Sequence, residues 1–296
     1  MKIFDCFMYF DEEIVLDLRL NMLYEYIDHF VIVESTFTHR GQKRELKFNQ
    51  KKFEKFKDKI IYLVYDKNPK GLKKVTEKDS EAIKSWKYIE NAILRENGQR
   101  NFIINGLNKA NDDDMILISD VDEIPNLKNI KLNNVHEKII QFKQEMFYYK
   151  FNLKLPNLIW TGTKGCRKKN LISPQWLRNI KDRKYSFFRI DTLFSKSKYI
   201  SIKFINNGGW HFSNIKTAEE IKFKLQSYLH HREFDVNPMS TDEINTIIKN
   251  KQAIYDLKVD KKINKIGNGN KLTKYPITKL PIYLQNNVNV YKDWIE

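Results

Sequence analysis

The stretch Met115-Ile-Leu-Ile-Ser-Asp120-Val-Asp122-Glu123-Ile-Pro125 decides the interpretation of this chain. A short apolar run stops at two aspartates, and its length and β-branched content predict a buried strand. Open α/β sheets bind ligands beyond the carboxyl ends of their strands, which is where Asp120 and Asp122 lie in this prediction. In an extended backbone, residues i and i+2 point the same way, so the two carboxylates can share a divalent cation that neutralises a diphosphate. The alternative is a solvated acidic turn that binds nothing.

The sequence before this strand predicts an α/β fold with a mostly parallel central sheet and flanking helices. Strands are predicted over residues 1–10, 30–35 and 60–65, with helices over 13–29 and 49–58 between them. Alternation of strand and helix is typical of a parallel sheet. Residues 80–111 predict two helices that break near Asn97-Gly98.

After Pro125 the pattern changes from parallel to antiparallel. Residues 139–155 alternate in part and are rich in aromatic side chains, which predicts an antiparallel hairpin. Residues 156–186 are irregular and basic, as expected of a lid or a binding loop. A strand over 200–205 leads to Gly208-Gly209-Trp210-His211, and helices are predicted over 217–234 and 242–256.

Composition restricts the classes of function. The net charge of +16 is compatible with polyanionic partners, although the lysines are dispersed among acids. Cys6 and Cys166 have no metal-binding or redox spacing, which suits buried free thiols in a reducing compartment. No apolar stretch approaches the length of a transmembrane helix, so any membrane association is expected to be peripheral. We find no Walker A, Gly-x-Gly-x-x-Gly or Gly-x-Ser-x-Gly motif, which disfavours mononucleotide kinases, nicotinamide enzymes and serine hydrolases.

Further candidate ligands come from other segments. His211 follows two glycines that permit close backbone approach, and an imidazole can complete a metal site; the alternative is a hydrogen-bonded core histidine. Glu34-Ser35 ends an early strand, where a base or a ribose hydroxyl would be bound, or else simply caps that strand. Arginine binds phosphate through a bidentate fork. The basic candidates for a diphosphate are Arg100, Arg167, Lys168, Lys169 and Arg178.

Several segments together resemble glycosyltransferase family 17. They are Asp5 to Glu13, Leu18-Arg19-Leu20, Val31 to Ser35 with Thr38 and Gly41, Gln99-Arg100, Ile118 to Pro125, Tyr148-Tyr149, Gly209 to Ser213, and His231 to Phe234. The resemblance implies a GT-A type nucleotide-sugar-binding fold and inverting transfer of a sugar, with N-acetylglucosamine among the candidates, from a UDP-sugar or similar donor to a glycan hydroxyl. It also implies Mn²⁺ or Mg²⁺ as cofactor.

The same resemblance implies roles for single residues. Asp122 would bind the metal, Asp120 would contact the donor ribose or the metal, and His211 would contact the metal or the diphosphate. Glu34 would lie near the nucleoside, and we group it with Ser35, Arg100, Asp120 and Arg178 as donor-binding residues. An inverting reaction needs one general base on the acceptor side. The carboxylate candidates for that base are Glu145, Glu233 and Asp191.

The resemblance also suggests a division of the chain. Residues 1–235 would form the catalytic domain, and residues 236–296 a helical and irregular extension packed on it. Animal members of the family carry an N-terminal membrane anchor and act in the Golgi, whereas this sequence starts at the catalytic core. We therefore expect a cytoplasmic protein of bacterial or viral origin, without signal peptide or membrane anchor.

Two other functions stay open at this point. The charge of +16 and the acidic pair would also suit a nucleic-acid-binding protein or a metal-dependent nuclease. No helix concentrates basic residues on one face, however, so we expect no nucleic-acid partner. A non-catalytic glycan-binding relative ranks last, because the candidate metal ligands are present.

Overall fold

The structure is a computed structural model that describes residues 1–186, 188–192, 194–255 and 269–296. Its described strands form one mixed sheet in the order β3-β2-β1-β4-β7-β6-β9-β5, with β8 paired to β6 and β10 to β7. The strands are β1 (Ile3–Tyr9), β2 (His29–Ser35), β3 (Ile60–Tyr65), β4 (Met115–Asp120), β5 (Glu123–Pro125), β6 (Ile139–Tyr148), β7 (Leu153–Arg167), β8 (Ile202–Ile205), β9 (Gly209–Ser213) and β10 (Thr273–Lys274). The predicted α/β class and all three early strands are confirmed.

Strands β1 to β4 form a parallel block at one side of the sheet, and β6 also pairs in parallel with β8 and β9. β1 pairs with β2 on one side and with β4 on the other, and β2 pairs with β3. The apolar runs of β1, β2 and β4 are buried on both faces, as expected for a parallel sheet covered by helices, whereas the edge strand β3 is mostly half-buried. The carboxyl ends of β1, β2 and β4 consequently open on the same edge of the sheet.

The predicted antiparallel hairpin is confirmed as β6 and β7. β7 continues to Arg167 and pairs with β4. The prediction of an irregular loop over 156–186 is therefore wrong for its first twelve residues, which extend the sheet. β9 lies between β6 and β5 and brings Glu123 opposite His211.

Helices flank the sheet, and several differ from their predicted bounds. They are α1 (Glu13–Leu23), α2 (Glu81–Phe102), α3 (Pro174–Asn179), α4 (Ala218–Ser227), α5 (His231–Val236), α6 (Thr241–Lys249) and α7 (Ile282–Asn286). The break predicted at Asn97-Gly98 is wrong, because α2 runs through it. The helix predicted over 49–58 is wrong beyond a single 3₁₀ turn at Glu54–Phe56. The helix predicted over 217–234 is two helices, and that over 242–256 ends at Lys249, while residue 256 lies outside the described residues.

Three apolar clusters hold the elements together. One joins α1 to Phe7, Ile32 and Leu117 of the sheet, and another packs Cys6 and Ile118 on the opposite side. The third surrounds Met146 and Tyr148 with residues of α4 and α6. Residues near the carboxyl terminus take part: Leu284 and Tyr291 are fully buried, and the Tyr291 hydroxyl donates to Asp17 at 2.6 Å.

Within the described residues, no helix has both the length and the apolar character needed to cross a membrane. Both cysteines are buried free thiols, as predicted. The cytoplasmic location stays a prediction.

Candidate functional site

A cavity of about 360 Å³ opens beyond the carboxyl ends of β1, β2 and β4. This is the edge at which parallel α/β sheets bind ligands. Its lining includes Tyr9, Phe10, Glu12, Ser35, Phe37, Thr38, His39, Glu96, Gln99, Asp120, Asp122, Tyr148, Trp160, His211, Lys224, Tyr228 and His230. The candidates Asp120, Asp122 and His211 therefore share one cavity with Ser35.

Asp120 ends β4 and is held by two arginines. Arg100 donates to Oδ1 at 3.2 Å and Arg178 donates to Oδ2 at 3.0 Å. Burial alone would raise the pKa of Asp120, but the two guanidinium groups outweigh it and hold that pKa far below its ordinary value. Asp120 is thus a fixed carboxylate, and its side chain is still 39% exposed to the cavity.

Glu123 is the fully buried partner that the sequence did not reveal. Its carboxylate accepts hydrogen bonds from both terminal nitrogens of Arg178 at 2.6 and 3.0 Å, and from the Trp160 indole at 2.7 Å. It also accepts the backbone N–H of Asp120 at 2.9 Å. Arg178 therefore joins Asp120 to Glu123 and fixes the turn between β4 and β5.

A second ion pair, between α1 and β1, is fully buried and supports this turn. Arg19 of α1 binds the Asp5 carboxylate through two nitrogens at 2.6 and 2.7 Å. The same guanidinium donates to the backbone carbonyls of Asp120, Val121 and Glu123 at 3.2, 3.1 and 2.8 Å. The sequence carried a signal for both residues: each is a charged residue within an apolar run, and such residues are rarely buried unless paired.

Asp122 faces His211 and Lys224 across the cavity floor. Its Oδ1 lies 3.4 Å from His211 Nε2, and its Oδ2 lies 3.9 Å from Lys224 Nζ. Burial would raise the pKa of Asp122, yet the two cationic neighbours lower it below the ordinary value. The same contacts overcome burial and raise the pKa of His211 and of Lys224.

Two glycines bring His211 to this position. A Cβ on Gly209, whose φ is +131°, would lie 2.1 Å from the Ile124 carbonyl oxygen. A Cβ on Gly208 would lie 2.6 Å from the Ile205 carbonyl oxygen. The close backbone approach expected at these glycines is therefore confirmed.

The residues present could supply part of the coordination shell of a metal ion, with a bound ligand supplying the rest. Within the described ranges, no group of three or more His, Cys, Asp or Glu side chains could hold an ion. Asp122 and His211 do bring one carboxylate and one imidazole together, and this donor set suits Mn²⁺ if a ligand supplies further oxygens. His211 Nδ1 is buried and has no hydrogen-bond partner in the part of the chain that is described.

The opposite end of the cavity presents neutral polar side chains beside the charged Glu96. The His39 ring nitrogen Nε2 lies 3.2 Å from Gln99 Oε1, and Gln99 donates to the Val33 carbonyl at 3.0 Å. Burial lowers the pKa of His39, which favours its neutral form. Glu34 points elsewhere: it is fully buried and accepts from Lys47 N and Tyr62 Oη at 2.6 and 2.8 Å. Glu34 thus anchors the segment after β2 and does not line the cavity.

The other basic candidates are separated. Arg100 and Arg178 contact the site through hydrogen bonds to Asp120, and neither side chain lines the cavity. Arg167 pairs in register with Met115, at the amino end of β4, and donates to the Asp113 carbonyl at 2.8 Å. Lys168 and Lys169 follow it in a 3₁₀ turn at that same end. These three residues therefore lie at the end of β4 opposite to Asp120.

The three carboxylates proposed as general base do not line the cavity. Glu145 forms an ion pair with Lys154 on the hairpin. Asp191 pairs with Arg189 and Lys198 on an exposed segment. Glu233 is not among the residues that line the cavity, but its Oε1 is 3.2 Å from Nδ1 of the lining residue His230.

Comparison with known proteins gives a consistent result. Residues 1–295 match the family model described as glycosyltransferase family 17. The β-1,4-mannosyl-glycoprotein 4-β-N-acetylglucosaminyltransferases of Homo sapiens, Rattus norvegicus and Mus musculus are each 26% identical over 231 residues, covering 72% of this chain. The chain spans only 40% of the length of these curated relatives. A Francisella tularensis 2-C-methyl-D-erythritol 4-phosphate cytidylyltransferase structure aligns over 77% of this chain and 100% of its own at 10% identity, and its TM-score of 0.31 is too low to support an argument.

Replacing Arg19 tests how the aspartate turn is held. We expect Arg19→Leu to lower the free energy of unfolding by about 3–5 kcal/mol, because it leaves the Asp5 carboxylate buried without a partner. Urea unfolding monitored by tryptophan fluorescence measures the change, with Arg183→Leu as the control at a solvent-exposed arginine. A double variant, Asp5→Leu with Arg19→Leu, should lose less than the sum of the two single variants. Strictly additive losses would contradict the pairing.

Proposed function

Because the chain belongs to glycosyltransferase family 17 and is a glycosyltransferase, we propose that it transfers a sugar from a nucleoside-diphosphate donor to a glycan hydroxyl. N-acetylglucosamine is the first candidate for that sugar, since the similar animal proteins are named as N-acetylglucosaminyltransferases. The transfer inverts the anomeric centre and uses Mn²⁺ or Mg²⁺. The observation that carries the proposal is the grouping of Asp122, His211 and Lys224 in the cavity beyond β1 and β4.

We assign the fold to the GT-A type. Support comes from the strand order β3-β2-β1-β4, from the aspartate pair at the end of β4, and from the antiparallel hairpin that completes the sheet. These features follow the expectation set by the family resemblance. The hairpin then forms the acceptor side of the cavity, because it lies on the far side of β4 from the nucleoside end.

The cavity has separate places for the two halves of a nucleotide. We place the nucleoside beside Ser35, Thr38 and the neutral pair of His39 and Gln99, whose groups can donate to and accept from a base or a ribose. Asp120 is exposed between the two ends and can accept a ribose hydroxyl. Arg100 and Arg178 do not contact the donor in this arrangement; they hold Asp120 in place.

The diphosphate would lie next to Asp122, His211 and Lys224. Asp122 and His211 would hold the metal, which when bound supplies a double positive charge that stabilises the departing diphosphate. Lys224 adds a cation from the protein itself. Its pKa is raised despite burial, so it keeps its charge at neutral pH and can offset phosphate charge in a site of low dielectric.

We also propose His230 as the general base, with Glu233 as its positioning residue. His230 lines the cavity, and Glu233 lies 3.2 Å from its Nδ1, so the carboxylate orients the ring and leaves Nε2 for the acceptor hydroxyl. The cavity carboxylates are otherwise engaged: Glu96 accepts from Arg100 at 2.8 Å, and Glu12 accepts the backbone N–H groups of Phe10 and Asp11. The imidazole takes the hydroxyl proton as the oxygen attacks the anomeric carbon.

Three further expectations stay proposals. The catalytic unit would comprise residues 1–235, the remainder would be an extension packed on it, and the protein would act in the cytoplasm. The nucleic-acid alternative rested on net charge and on the acidic pair, and the assignment to a glycosyltransferase family removes the need for it.

The metal proposal predicts that cation and nucleotide bind together. Since the residues that the structure describes offer two ligands at this place, Asp122 and His211, we expect UDP with Mn²⁺ to raise the melting temperature more than the two separate effects combined. Asp122→Ala should abolish that excess and lower kcat/KM with a UDP-sugar by about 100-fold or more. Asp112→Asn, at the opposite end of β4, is the control. Full activity of Asp122→Ala, or full activity in the presence of a chelator, would rule out the assignment.

The proposal that His230 is the general base predicts different effects on kcat and on the KM for the donor. His230→Ala should lower kcat by about 100-fold or more while the KM for the donor changes little, because the imidazole acts on the acceptor hydroxyl. Glu233→Gln should cause a smaller loss of kcat, since the ring keeps its hydrogen-bond partner. His136→Ala is the control at an exposed histidine. If His230→Ala retains kcat, the base is another group, whatever the outcome for Asp122.

A further inference from the structure

The most exposed apolar side chains of the described residues lie in one segment. Phe188 is 87% exposed, Phe194 is 86% exposed and Ile190 is 71% exposed. We call the segment of residues 181–198 the basic apolar loop. Neighbouring exposed apolar side chains on a soluble protein mark an interaction surface more often than chance exposure does.

The same loop is strongly positive. Residues 181–198 contain six basic and two acidic residues, for a net charge of +4. Both acids are already neutralised: Asp182 pairs with Lys143, and Asp191 pairs with Arg189 and Lys198. Lys184 and Lys196 are exposed beside the apolar residues. The loop thus combines a cationic surface with protruding apolar side chains.

The loop is anchored at its base. Lys181 N donates to the Ser197 carbonyl at 2.8 Å, and the Trp176 indole donates to the Lys196 carbonyl at 2.8 Å. Tyr185 and Thr192 are buried within it, and the Thr192 hydroxyl donates to the Arg189 carbonyl at 2.6 Å. The exposed residues are therefore held outward by a defined support. Trp176 belongs to α3, which also carries Arg178 of the candidate active site.

We propose that the basic apolar loop docks the enzyme on a membrane surface rich in anionic lipid headgroups. Lys184, Lys196 and the other basic residues meet the lipid phosphates, while Phe188, Ile190 and Phe194 enter the boundary between headgroups and acyl chains. This pairing of cationic and apolar groups is the physical requirement for peripheral membrane binding. None of the three apolar residues lines the catalytic cavity, so a role in stacking on the acceptor sugar at the reaction centre does not account for their exposure.

Vesicle cosedimentation of the full chain tests this proposal. We expect binding to phosphatidylcholine vesicles that contain phosphatidylglycerol, and much weaker binding to phosphatidylcholine alone. Lys184→Glu with Lys196→Glu should weaken binding by about tenfold or more, because each basic residue near the surface adds to the attraction. Phe188→Ser with Phe194→Ser should weaken it as well, through lost burial of apolar area.

Matched variants separate the loop from the general charge of the chain. Lys67→Glu with Lys70→Glu makes the same charge change at exposed lysines elsewhere, and Ile282→Ser with Val290→Ser removes exposed apolar groups elsewhere. Neither control should change vesicle binding, and all variants should keep the melting temperature of the unmodified protein, so this test does not depend on the proposed catalytic roles.

Four results would overturn the proposal. The first is absence of binding to the anionic vesicles, and the second is an equal loss of binding in the Lys67 and Lys70 control. The third is a loop that binds single-stranded RNA with the same residue dependence while vesicles are not bound. Loss of transfer to a soluble acceptor in the phenylalanine variants, with vesicle binding unchanged, would likewise assign the loop to the acceptor instead.

Discussion

One buried guanidinium group holds the edge of the sheet at the candidate site together. Arg19 neutralises Asp5 inside the sheet and, with its remaining donors, binds three carbonyls of the turn that carries Asp120 and Asp122. A turn between two strands leaves backbone carbonyls without ladder partners, and burying them unpaired would be costly. Arg19 meets that need, and so the position of the two aspartates depends on the packing of α1 against β1 and β4.

A second constraint is charge compensation. The cavity edge contains Asp120, Asp122 and Glu123 within four residues, and like charges this close would repel each other in a site of low dielectric. Arg178 pairs with both Asp120 and Glu123, and Arg100 supplies a second cation at Asp120, while His211 and Lys224 face Asp122. The result is a set of fixed carboxylates at one side and two cationic groups at the other. That asymmetry suits a ligand that presents both ribose hydroxyls and phosphate oxygens.

Where the sequence led to wrong predictions, tertiary packing supplies the reason. Asn97-Gly98 was predicted to break a helix, but a Cβ at Gly98 would lie 2.5 Å from the Tyr65 hydroxyl, so the glycine allows α2 to pack closely on β3. The helix predicted over 217–234 stops at Tyr228, whose extended backbone turns the chain toward the cavity. Nothing in the sequence distinguishes the three carboxylates proposed as base from other acidic residues. Their ion pairs in the structure show that none of them lines the cavity.

The family resemblance placed His211 with the two aspartates, and local sequence patterns by themselves determined the α/β class, the parallel strands, the hairpin and the position of Asp120 and Asp122 at the end of a strand. Those features follow from local periodicity and from the rule that parallel strands present their carboxyl ends on one edge. Only the tertiary structure decided the partners of the buried charged groups that pair across the fold: Arg19 with Asp5, and Arg178 with Glu123. Hydrogen bonds between residues as far apart as positions 19 and 123 depend on distances of a few ångströms, and such distances exist only once the whole sheet is assembled.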